Sequence, residues 1–131
     1  DMFLPKKEPQ AGPTKAPGLT RVDSQGMVQV DVKPVTLDLQ ADPLDFEGSL
    51  NTHSVDLSMD LVELSTLVTD TGLSVVPLSW DAPSGGHHVS GKLSFPGVVD
   101  GRPVLEGAKE ISLVIRDVDA PERTFTWDLV P

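Results

Sequence analysis

The sequence predicts an all-β domain: an antiparallel, immunoglobulin-like β-sandwich of seven to eight strands behind an extended N-terminal tail. Three observations carry that prediction. Apolar residues recur with period two from Gly26 onward, as in Val28, Val30 and Val32 against Gln29 and Asp31, the pattern of a half-buried strand. Clusters of Gly, Pro, Asp and Ser punctuate the chain at short spacing. Helix-period patterning is absent, apart from Ser58 to Thr66, which is long enough for one short turn. With 131 residues the chain suits one domain with a real core. The expected division is a tail over residues 1–21 and a sandwich over residues 22–131.

Within the tail, prolines stand at Pro5, Pro9, Pro13 and Pro17. Proline fixes φ and removes a donor, which predicts an extended, polyproline-like spacer. After the Val28–Val32 strand, Pro34 interrupts and Val35 to Leu39 reads as a resumed strand. Leu44, Phe46 and Leu50 face inward on even numbers, then Val55, Leu57 and Met59 on odd numbers. That parity change demands a bulge or corner between residues 50 and 55. Leu61 to Val68 is β-leaning, Asp70-Thr71-Gly72 is a hairpin turn, and Leu73 to Trp80 is the return strand. Asp81 to Gly86 is a loop, His87 to Phe95 a strand, and residues 96–108 a long loop. Ile111, Leu113 and Ile115 line the next strand. After a turn at Asp119 to Glu122, Phe125, Trp127 and Leu129 line the last.

The formal net charge is −10, and cysteine is absent. Beyond residue 20, eighteen acidic side chains face seven basic ones. Such a body repels phosphate backbones and anionic headgroups, which excludes nucleic acid as the expected partner. Without cysteine there is no disulfide, no thiolate catalysis and no Cys-type zinc site. No apolar run has membrane-spanning length. A start at Asp1-Met2-Phe3-Leu4 fits removal of a signal peptide and equally a trimmed chain; the expected location is secreted or cell-surface because the rest reads as a cell-surface β-domain.

Three sequence blocks stand out: Asn51-Thr52-His53-Ser54-Val55-Asp56-Leu57, then Gly85-Gly86-His87-His88-Val89-Ser90-Gly91 after Trp80, then Glu122-Arg123-Thr124-Phe125-Thr126-Trp127. In this order they resemble a group of secreted bacterial and archaeal β-sandwich domains, largely uncharacterised. The likeness spans about residues 22–130. It implies an extracytoplasmic β-domain and supplies no activity.

All three histidines fall within the first two blocks. His53, His87 and His88, with Asp56 and Asp81 as carboxylate donors, form a candidate copper or zinc site. By strand parity His87 should lean inward and His88 toward water. Both reach one metal only if Gly85 and Gly86 let the chain leave strand geometry. The competing expectation is structural: His53 and His87 as buried, hydrogen-bonded groups that pin the corner to the glycine loop. Asp117, Asp119 and Glu122 form a carboxylate-rich turn, read as solvated or as a calcium site, with Arg123 pairing one of the acids. Trp127 reads as core, and Trp80 as packing over His87.

No catalytic residues are expected. His53, Ser54 and Asp56 are too close in sequence for triad geometry, and no Gly-x-Ser-x-Gly elbow, phosphate loop or dinucleotide fingerprint occurs. The leading expectation is a non-enzymatic interaction protein that forms homo-oligomers, even filaments, through its N-terminal segment. Met27, Val28, Val30 and Val32 are the candidate residues, read as an edge strand open to pairing. The alternative is a metal-binding module holding a divalent ion (copper, zinc or calcium). Beyond such an ion, no cofactor is expected.

Overall fold

The computed structural model describes residues 19–129, so the proline-periodic segment lies outside the described residues. Two antiparallel sheets face each other. The first has the order β1-β2-β3-β7-β6 and the second β11-β10-β4-β5. The strands are β1 (Arg21–Gln25), β2 (Val28–Pro34), β3 (Leu44–Thr52), β4 (Ser65–Thr69), β5 (Ser74–Val75), β6 (Ser79–Trp80), β7 (His88–Phe95), β8 (Val98–Val99), β9 (Arg102–Pro103), β10 (Glu110–Arg116) and β11 (Glu122–Asp128). The single helical turn α1 (Leu61–Leu64) is capped by Asp60, whose carboxylate accepts the Val62 amide, satisfying one orphan donor. The β8–β9 ribbon stands apart.

The sandwich forms because period-two patterning turns one face of each long strand inward. Val28, Val30 and Val32 of β2, and Leu44, Phe46 and Leu50 of β3, are buried, as are Ile111, Leu113 and Ile115 of β10. Phe46 links the layers. It meets Phe95 edge-on at 5.7 Å and Trp127 of the opposite sheet at 5.4 Å. Such pairs add about 0.5–1.5 kcal/mol beyond area burial. Gly48 and Gly91 sit opposite each other on β3 and β7. Where their side chains would be, the Trp80 ring lies 3.2 Å from a Cβ on Gly48 and Ala82 lies 2.6 Å from one on Gly91. Trp80 thus packs over Gly48, rather than over His87 as the sequence suggests.

The two sheets are joined along the β1/β11 side by Arg123, which is only 1 % exposed. Its Nε and Nη2 donate to the Val118 carbonyl at 3.1 and 2.7 Å. Nη1 donates to the Asp23 carbonyl at 2.9 Å, and Nη2 to the Gln25 carbonyl at 3.0 Å. Nη1 also pairs with the Asp23 carboxylate at 3.4 Å. Burial lowers the Arg123 pKa, opposed by the Asp23 and Asp119 carboxylates. Nearby, Arg21 Nε donates to the Thr126 carbonyl and Trp127 Nε1 to the Leu19 carbonyl. Arg123 therefore pairs with Asp23 on another strand, not with an acid of its own turn.

That turn has a task too. Asp119 Oδ2 accepts the Met27 amide at 2.6 Å, bracing the two-residue β1–β2 hairpin. Gly26 takes φ +59° there, and a Cβ on it would collide with the Asp119 main-chain oxygen. Glycine first in a two-residue turn is the type II′ pattern.

Several sequence expectations need correction. β2 is not an edge: it pairs with β1 on one side and β3 on the other, and Val28, Val30 and Val32 point into the core. Of the proposed association set, only Met27 is exposed, at the hairpin tip. The missing strand is β1, whose short stretch lacks an apolar stripe. Val35 to Leu39 and Val55 to Met59 form no strands. Leu73 to Trp80 splits at Pro77 into β5 and β6, which belong to different sheets, because proline cannot donate to a ladder.

Replacing Arg123 with Met leaves three main-chain acceptors and Asp23 without their cation. The expected loss is about 3 kcal/mol of unfolding free energy, read by urea denaturation. Asp23→Asn should cost about 1 kcal/mol or less, since that carboxylate is partly solvated. Equal losses in the two variants would contradict the seam as described.

Candidate functional site at the histidine corner

Register, more than sequence proximity, organises the outer face of the first sheet. Ser24 pairs with Gln29, Gln29 with Asn51, and Asn51 with His88. These four side chains form one transverse polar row near the end of the sheet. Ser24 Oγ donates to Gln29 Oε1 at 3.3 Å, and Gln29 Nε2 to Asp31 Oδ1 at 3.0 Å. Asn51 Nδ2 donates to Ser49 Oγ at 3.3 Å. Its Oδ1 therefore faces His88 Nδ1, 2.8 Å away. A carboxamide oxygen only accepts, so Nδ1 of His88 is the donor in this contact.

His53 follows at the corner where β3 ends. Thr52 makes that corner. Its buried hydroxyl donates to the Met27 carbonyl at 2.6 Å and accepts the Ser54 and Val55 amides at 3.2 and 3.3 Å. The expected parity break is therefore real, and a threonine performs it. His53 and His88 line one depression of about 390 Å³ with Met27, Gln29 and Asn51.

The other predicted site residues do different work. His87 is exposed, not inward, and does not line that depression. Gly85 and Gly86 both take positive φ, 94° and 95°, so regular strand geometry starts only at His88 and parity does not apply to His87. Its carbonyl accepts the Thr52 amide. Asp56 Oδ1 accepts the Gly86 amide at 3.0 Å, and Asp81 Oδ1 the Lys92 amide at 2.5 Å. Both carboxylates hold backbone at the two ends of the glycine loop. Among the described residues, no three His, Cys, Asp or Glu side chains gather into a group able to hold a metal ion. The buried His53–His87 network is likewise not formed, because both rings are exposed.

Sequence reasoning missed a second feature. A broad open depression of about 490 Å³ runs over the same face, lined by Asp31, Lys33, Glu47, Ser49, Ser90 and Lys92. Its residues come from three strands, so only the register brings them together.

No family model and no curated protein matches this sequence. Among solved structures, the chain is similar to a secreted protein from Mycobacterium tuberculosis, MPT63. The two share 14 % identity over 91 % of this chain and 99 % of that one, with a TM-score of 0.44. At that TM-score the likeness carries no argument about this protein's fold or activity. Among the described residues, no helix is long and apolar enough to cross a membrane.

Two measurements check the corner. Thr52→Val removes one donor and two acceptor contacts and should lower stability by about 1–2 kcal/mol, seen in thermal melts. Long-range ¹H–¹⁵N spectra should report the Nδ1–H tautomer for His88, and Asn51→Ala should shift the population toward Nε2–H. An Nε2–H majority in the unmodified protein would contradict the hydrogen-bond assignment.

Proposed function

We propose that this chain is a secreted, non-enzymatic β-sandwich module that associates with copies of itself through its N-terminal segment. One observation carries the reading: the entry point of that segment and the free apolar edge lie on opposite sides of the sandwich. Residue 19 enters beside β1 and β11, the side closed by Arg123 and Trp127. The opposite side is formed by β5 and β6, each two residues long. Between them, Val76 is 66 % and Leu78 63 % exposed, with Leu73 adjacent.

This arrangement suits a head-to-tail contact, in which one copy's leading segment meets the next copy's far edge. The segment contains Met2-Phe3-Leu4 followed by Lys6 and Lys7. Its apolar triplet matches the exposed edge, and its lysines match the acidic body. The donor is thus residues 1–18, with Leu73, Val76 and Leu78 as acceptor in place of Met27, Val28, Val30 and Val32. Secretion is supported by the resemblance of the three sequence blocks to secreted β-sandwich domains. The non-enzymatic reading rests on the sequence, which contains no nucleophile elbow, phosphate loop or dinucleotide fingerprint.

Light scattering on the full chain tests this. The expected result is a species larger than the monomer, reduced to monomer in a chain starting at Leu19 and in the Val76→Lys/Leu78→Lys double variant. A full-length monomer at high concentration, or assemblies indifferent to both changes, would overturn it.

A further inference from the structure

We propose that the end of the first sheet binds Cu(I) through His53, His88 and the thioether of Met27. The site is independent of how copies associate. It also differs from a carboxylate-assisted site, since neither Asp56 nor Asp81 lines this depression.

Placement comes from the register. Val28 pairs with Thr52, and Asn51 with His88. Met27 and His53 each lie one residue past the Val28–Thr52 pair, at the end of the ladder, and Thr52 ties the two chain segments together through the Met27 carbonyl. His88 is diagonal to His53, two residues from its direct partner Asn51. All three residues line the same depression and are exposed, Met27 by 60 %.

Chemistry selects the ion. A thioether is a soft ligand that favours Cu(I), and imidazole serves copper as well. Three neutral donors suit a monovalent ion without a compensating carboxylate. The second observation is the His88–Asn51 bond. Metal-bound histidines characteristically donate the other ring N–H to a fixed acceptor, which sets tautomer and ring orientation. Asn51 supplies that acceptor before any ion arrives, so Nε2 is the ring nitrogen that would take the ion. The strongly acidic body raises the local concentration of any cation.

The test is anaerobic competition for Cu(I), with ascorbate present and bicinchoninate as the coloured competitor, on the full chain. The expected result is one Cu(I) per chain. His53→Ala and His88→Ala should each weaken it at least tenfold. Met27→Leu should weaken Cu(I) at least tenfold while leaving any Zn(II) affinity unchanged. Asn51→Leu should cost roughly tenfold through ring orientation alone. These side chains lie on the surface, and unchanged thermal melts keep folding out of the comparison. The proposal fails if the chain takes no Cu(I) from the competitor. It fails equally if either histidine variant binds as well as the parent, or if Met27→Leu leaves Cu(I) affinity untouched.

Discussion

A buried arginine holds this sandwich closed. Two facing sheets attract each other through apolar side chains, but that attraction has no direction and does not specify how their edges meet. Arg123 adds direction. Its planar fork offers five N–H groups, and this fold answers with carbonyls from Val118, Asp23 and Gln25 and the Asp23 carboxylate. The cation is desolvated, so its environment must be complete. Completeness in turn fixes β1 against β11 and the Val118 turn against both. Lysine could not substitute, because a point charge with three donors cannot reach three separated carbonyls in one plane.

The consequences run outward from that seam. With β1 held, the Gly26–Met27 hairpin is placed under Asp119. The hairpin presents Met27 at the same end of the sheet where Thr52 turns β3. The glycine loop completes the arrangement by returning the chain at His88, opposite Asn51. The histidine corner is therefore a product of strand register at three neighbouring strands. The other lateral edge is left with two short strands and Pro77, which limit unrestricted ladder pairing, while Val76 and Leu78 stay exposed beside them.

Much of the core was legible in the chain. Alternation exposed β2, β3, β10 and β11, because period-two burial is local and each long strand carries it. The corner near His53 was legible from parity alone. The edge position of β2 was misread because β1, Arg21 to Gln25, alternates weakly and is held by side-chain bonds to a strand a hundred residues away. His87 was misplaced because parity was carried one residue past the point where two glycines abandon it. Arg123 looked like a partner for its neighbours, since sequence offers only neighbours.

By itself the sequence determined the all-β class, the apolar faces, most turns, and the residues able to bind or bridge. Those follow from local conformational preference and from the hydrophobic period, which act within a few residues. The tertiary structure decided which strand is an edge, which carboxylates hold backbone amides, and which histidines share a depression with Met27. Those depend on register and layer contact between distant segments, and no local rule encodes the distance across a sheet.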